Sequence, residues 1–156
     1  MGKFYATLYA GLSLYVRQLA WLHTAPQRDA KDRSTTPVMS RLTRMRWEVK
    51  DDDYMPKMPD TAGAEYLLGY LLEIGPVLSS GMGPGVLTYQ EIDAWARLNS
   101  INIQPWEVRC LRRLSTDYLT QARAAERSTC PAPATEARAA ITAADLRASM
   151  RQLAKL

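Results

Sequence analysis

Apolar positions recur along this chain at steps of three and four, the period of an α-helix rather than the period of two of a half-buried strand. Over residues 3–24, Phe4, Leu8, Leu12, Tyr15, Leu19 and Leu22 fall on one face, and Tyr5, Tyr9 and Val16 widen it. Such a helix either packs on the chain's own core or docks on a partner. Its polar side carries too few basic residues for a membrane anchor. Further on, AEYLLGYLLEI is apolar nearly all round, with Glu65 and Glu73 its only charges. A helix of that kind belongs in the middle of a core. Asp60 or Thr61 is placed to cap it and Gly75-Pro76 to end it, with Tyr66, Leu67, Tyr70, Leu71 and Ile74 facing the helices that follow.

The stretch from Thr88 to Ala125 predicts a helical hairpin on which the rest of the chain is organised. Thr88 with Glu91 has the spacing of a capping box, and Gln104-Pro105-Trp106-Glu107 repeats the logic more weakly. Between the helices, Asn99-Ser100 supplies a stop, asparagine tolerating the left-handed cap. Tyr89, Ile92, Trp95 and Ala96 share a face of the first helix. Val108, Leu111, Ser115, Leu119 and Ala122 form a stripe on the second, widened by Leu114 and Tyr118. So short a connection makes the two helices neighbours, in contact through Trp95 and the Leu111/Leu114 region.

Breakers divide the remainder. Pro26, Pro37, Pro56 and Pro59 interrupt residues 26–59, which read as a linker, first basic and then acidic, with room for a helix near Ser40–Lys50. ERSTCPAPATEA reads as a Pro/Ala linker, followed by an Ala-rich helix whose thin stripe is Leu146, Met150 and Leu153. The expected organisation is an N-terminal amphipathic helix (1–25), a linker (26–59), a helical core domain (60–126), and the Pro/Ala linker with its C-terminal helix (127–156). The fold class is all-α, a small bundle built on the hairpin.

Composition narrows the chemistry. A net charge of +4, from 20 basic and 16 acidic residues, allows nucleic-acid binding without demanding it. Arg41, Arg44, Arg46, Arg109, Arg112 and Arg113 would carry such binding, with the second hairpin helix as the reader. Asp51-Asp52-Asp53 points three carboxylates in different directions and lacks the glycine and terminal glutamate of a calcium loop, so solvation accounts for it. A single histidine, and two cysteines without CxxC spacing, leave no metal-site pattern and no Ser-His or Cys-His scheme. Gly81, Gly83 and Gly85 surround Pro84 in a glycine-rich turn, but Val86-Leu87 stand where a phosphate loop needs Lys-Ser/Thr. No catalytic residues, cofactor or metal are expected. No apolar run reaches the roughly 18 residues of a membrane span. Residues Phe4–Val16 resemble a short signal-peptide core, yet Arg17 closes it and no small-x-small cleavage site follows, so a retained, cytoplasmic chain is expected.

The order GMGP-x-VLTYQEIDAWARL-x(4)-I-x-PWEVRCLRRLSTDYL resembles the small helical tail assembly chaperones of tailed-phage and prophage tail gene clusters. The residues that carry the likeness include Gly83, Pro84, Thr88, Glu91, Trp95, Pro105, Trp106 and Glu107, within residues 60–125. These positions read as fold-makers. The resemblance implies a non-enzymatic morphogenesis protein of the host cytoplasm that holds the tape-measure protein soluble and helps recruit tail-tube subunits. Partner-binding positions expected on apolar stripes are Phe4, Leu8, Leu12, Tyr15 and Leu19 of the first helix and Leu146, Met150 and Leu153 of the last. Two other readings stand beside this one: a small basic nucleic-acid-binding regulator, and a structural tail or connector subunit retained in the virion.

Overall fold

In a computed structural model of the chain, the apolar face of residues 3–24 is covered by the chain itself. The structure describes residues 3–28, 31, 33–61, 63–81, 83–135, 137–138 and 143–144, and for Lys3, Phe4 and Ser80 the backbone alone. Leu146, Met150 and Leu153, and with them most of the expected C-terminal helix, lie outside the described residues, as does the Phe4 side chain.

Helix α1 (Lys3–His23) and helix α5 (Pro105–Ala125) are each 21 residues, or about 30 Å, long. They lie side by side in the same direction. Tyr5 meets Trp106, Tyr9 and Ser13 meet Asp117, and Arg17 meets Gln121. Parallel neighbours cannot be joined by a tight turn, so the rest of the fold makes the crossover. It comprises α2 (Arg41–Val49), α3 (Glu65–Ile74), a hairpin of β1 (Leu78–Ser80) and β2 (Gly83–Gly85), and α4 (Tyr89–Leu98). The fold is all-α, with this one small antiparallel hairpin added, pairing Leu78 with Gly85 and Ser80 with Gly83.

The main core cluster draws chiefly on three helices. Leu8, Leu12 and Val16 of α1 meet Leu67, Leu68 and Leu71 of α3 and Leu111 and Leu114 of α5, with Leu87 and Ile92 alongside. Burying each of these stabilises the fold by roughly 1.5–3 kcal/mol. The all-round apolar character of α3 predicts a place in the middle of the core, but the helix packs by one face only. Leu67, Leu68 and Leu71 are buried and the Tyr70 ring lies 4.9 Å from that of Trp95, whereas Tyr66 and Leu72 are exposed. The α4–α5 pair exists but does not organise the molecule, because α5 makes its longest contact with α1.

Local signals act with some reassignment. Thr88 accepts the Glu91 N–H at 3.2 Å, starting α4, while the Glu91 side chain stays exposed. The stronger acidic return is at α5, where Glu107 takes the Gln104 N–H at 2.7 Å. Pro105 opens that helix. Helix α3 starts at Ala64 without a side-chain cap; Thr61 instead hydrogen-bonds the Glu65 carboxylate. Its end is as expected, Gly75 sitting at φ 96° with its N–H on the Leu71 carbonyl. At the end of α4 the left-handed residue is Ser100 (φ 55°), and Ser100 and Ile101 donate to Arg97 and Ala96. Asn99 stays at φ −94° and caps Trp95 O through its side chain at 3.0 Å. Gly83, at φ 104°, holds a conformation that a side chain would strain, and the glycine-rich turn is thus a hairpin.

The segments read as linkers are mostly exposed but are tied down at several points. Ser40 caps α2, accepting the Thr43 N–H at 3.2 Å. Leu42 is buried, and the Arg41 guanidinium donates to Trp21 O, Thr24 O and Arg127 O while lying 4.7 Å from the Trp21 ring. Beyond α5, Trp21 Nε1 donates to Cys130 O at 2.8 Å, and Gln18 accepts the Ala134 N–H at 3.1 Å. Composition marked these stretches as loops; hydrogen bonds to α1 fasten them to the bundle.

Ser115 shows why one polar residue sits in the α5 stripe. Its inaccessible hydroxyl donates to Pro76 O at 2.8 Å and accepts the Leu87 N–H at 2.9 Å, clamping both legs of the hairpin to α5. Replacing Ser115 with Ala leaves both backbone groups buried without that partner. A loss of about 1–3 kcal/mol is expected from urea unfolding at neutral pH, and a loss below about 0.5 kcal/mol would contradict the clamp.

A candidate docking cleft between the first and last helices

At the N-terminal ends of α1 and α5 the helices leave an open cleft of about 260 Å³. Two residues from each helix make its walls: Tyr5 and Tyr9, one turn apart on α1, and Trp106 and Cys110, one turn apart on α5. Leu8 forms part of its lining, and Arg109 and Arg113 line it from α5. The Tyr5 and Trp106 rings pack at 5.2 Å, tilted by 57°. The Arg113 guanidinium lies 4.0 Å from the centre of the Tyr9 ring, a cation–π contact.

The wall is held by what lies behind it. The Tyr9 hydroxyl donates to Asp117 Oδ2 at 2.5 Å, and Ser13 donates to the same oxygen at 2.6 Å. One carboxylate on α5 thus engages two residues one turn apart on α1, which sets the helices' axial register. Trp106 is positioned by the first turn of α5. There the next residue, Glu107, is buried with one oxygen on the Gln104 N–H and the other 2.8 Å from the Tyr66 hydroxyl. Burial, and then that hydrogen bond, push the Tyr66 hydroxyl above its ordinary range.

The electrostatics of the cleft follow from burial and from its arginines. Burial pushes the Cys110 thiol up to about 11, against the opposing pull of Arg113, so it stays a protonated thiol near neutral pH. The Tyr9 hydroxyl is raised to about 12, by burial first and then by its bond to Asp117. The cleft therefore combines aromatic and aliphatic walls with fixed positive charge. Among the described residues no group of three or more His, Cys, Asp or Glu side chains is placed to hold a metal ion.

The structure corrects the expected docking face. Leu8, Leu12 and Leu19 are buried within the protein and Tyr15 packs against its core, because α1 packs along α5 and against α2, and its Leu8 and Leu12 join the core cluster that includes α3. Of these four, Leu8 alone reaches the cleft. Of the residues that carry the family likeness, Trp106 lines it and Glu107 supports it. Gly83, Pro84, Thr88, Glu91, Trp95 and Pro105 build the hairpin, α4 and the start of α5. Tyr5, Tyr9, Arg109 and Arg113 were not expected as one site. Each pair has the four-residue spacing of a helix face, but nothing local indicates that the two pairs meet.

The arginines of the nucleic-acid reading are dispersed. Arg41 is buried on backbone carbonyls, Arg46 donates to Tyr54 O at 2.9 Å, and Arg112 donates to Leu87 O at 3.1 Å while stacking on Tyr89. Helix α5 contacts α1, α3 and α4 through its apolar side and keeps an exposed face that includes Arg109, Arg113 and Arg123.

Because the Tyr9 hydroxyl titrates higher in the folded chain than the ordinary value of 10, its contribution is complete below pH 10 and is lost between pH 10 and about 12. Tyr9→Phe is expected to flatten the fall in stability over that window. Urea unfolding of both proteins at about pH 9 and about pH 11 checks this, and an equally steep fall in the variant would contradict it. No protein-family model, curated protein or solved structure matches this chain.

Proposed function

We propose that this chain is a tail-assembly chaperone: a polypeptide-binding helical module that keeps the phage tape-measure protein soluble in the host cytoplasm and helps recruit tail-tube subunits. The observation that carries the reading is the cleft, whose apolar walls and flanking arginines suit another chain's side chains. The likeness of residues 60–125 to such chaperones supplies the partner's identity. Other exposed apolar side chains, such as Leu98 at 85% and Trp47 at 73% exposure, sit on separate helices, and single exposures of this kind need no special explanation.

Magnitudes favour a reversible holder. One large apolar anchor contributes about 1.5–3 kcal/mol, and each exposed ion pair at most about 1 kcal/mol. A single engagement is therefore weak, and retention on a long partner comes from several copies of the chaperone or several anchors. That suits a protein displaced when tube subunits arrive. No described helix is long and apolar enough to cross a membrane.

Co-expression tests the reading. The tape-measure protein is expected in the soluble fraction with this chain present and in the pellet without it; equal solubility in both would sink the proposal. Mass spectrometry of purified particles separates a chaperone, which should be missing from them, from a connector subunit, which should be retained.

A further inference from the structure

The cleft's size and charge narrow what it takes. At about 260 Å³ it falls below the roughly 300–1,000 Å³ typical of small-molecule sites and matches one large side chain. Arg109 and Arg113 stand one helical turn apart, about 6 Å between their Cβ atoms. Arg109 is exposed and makes no hydrogen bond or ion pair among the described residues. Arg113, stacked by its face on Tyr9, keeps the N–H groups at its edge for an acceptor. Two guanidiniums one turn apart beside an apolar slot are complementary to two carboxylates one turn apart beside an apolar side chain. An amphipathic helix presents that arrangement when acids at positions i and i+4 flank an anchor at i+3. The chain's net charge of +4 favours the same acidic partner at longer range.

We propose that the cleft docks an acidic amphipathic helix of another polypeptide. Its anchor side chain enters beside Tyr5, Tyr9 and Trp106, and its paired carboxylates bind Arg109 and Arg113. The inference rests on the reading of this chain as a polypeptide binder, and adds the site and the chemistry of the segment bound. Tyr9 is a positioning residue in this scheme, holding the Arg113 guanidinium over its ring. The acids give orientation and preference over other apolar helices, while the anchor gives most of the affinity.

The test uses the full chain and a synthetic alanine-based helical peptide of about 16 residues carrying Leu at i+3 and Glu at i and i+4, with a matched peptide carrying Lys at both charged positions. Titration is followed on the Trp106 indole N–H resonance, assigned by its loss in Trp106→Phe. The acidic peptide should shift this resonance and bind about tenfold more tightly than the basic one. The double variant Arg109→Glu/Arg113→Glu should reverse that preference. Arg109→Glu alone, whose side chain has no partner in the described fold, should weaken it and provides the test should the double variant fail to fold. Equal affinity for the two peptides, an unmoved Trp106 resonance, or an unchanged preference in Arg109→Glu would overturn the proposal. So would sedimentation showing that the chain self-associates through Arg109, which would make a second copy the occupant. The two ideas fail separately. Tape-measure solubilisation that survives Arg109→Glu and Trp106→Phe refutes the cleft and leaves the chaperone, whereas peptide binding without solubilisation refutes the chaperone and leaves the cleft.

Discussion

The parallel contact between α1 and α5 is the constraint on which the structure depends. Two helices running the same way expose nothing to hold their axial register except the side chains between them, and here that register is set in two layers. Leu8, Leu12 and Val16 bury against the Leu111 and Leu114 region. Beside this seam Asp117 accepts from Tyr9 and Ser13 through one oxygen. The apolar layer supplies most of the free energy but tolerates sliding. The partly buried carboxylate does not, since a shift of one residue would remove its donors and leave it incompletely solvated.

Everything between the two long helices completes that pair. Helix α3 fills the space beside them, and Ser115 ties the hairpin to α5 at its two ends. Arg41 gathers the end of α1, the loop after it and the segment after α5 by donating to a carbonyl of each. A planar guanidinium suits that task because its several donors diverge in one plane while its face rests on Trp21. The cleft inherits this rigidity. Its walls belong to the two helices that Asp117 holds in register, so an incoming side chain meets a preformed slot and little ordering cost is left to binding.

Periodicity carried most of the secondary structure. The three- and four-residue steps of α1, α4 and α5 were legible because an amphipathic face repeats with the helix turn regardless of what covers it. The all-round apolar character of α3 misled, because the helix buries one face and leaves Tyr66 and Leu72 exposed. Caps were less secure. Thr88 and Glu107 acted as their spacing suggests, but α3 began without Thr61 or Asp60 as its cap, and Ser100 rather than Asn99 took the left-handed position. These are contests between options differing by about 1 kcal/mol, which packing decides.

The residues alone determined that this protein is helical, where its long helices run, and that its apolar faces must be covered. Those properties follow from local backbone preference and from the cost of leaving stripes in water. Only the tertiary structure decided what covers each stripe. It turned Leu8, Leu12 and Leu19 from an expected docking face into core, made Ser115 and Arg41 internal ties, and brought Tyr5 and Tyr9 to Trp106, Arg109 and Arg113 across about a hundred residues of chain. The reason is geometric. Helix periodicity specifies which side of a helix is apolar but carries no information about the direction or register of its neighbour, and a cleft built from two distant helices exists only once both are chosen.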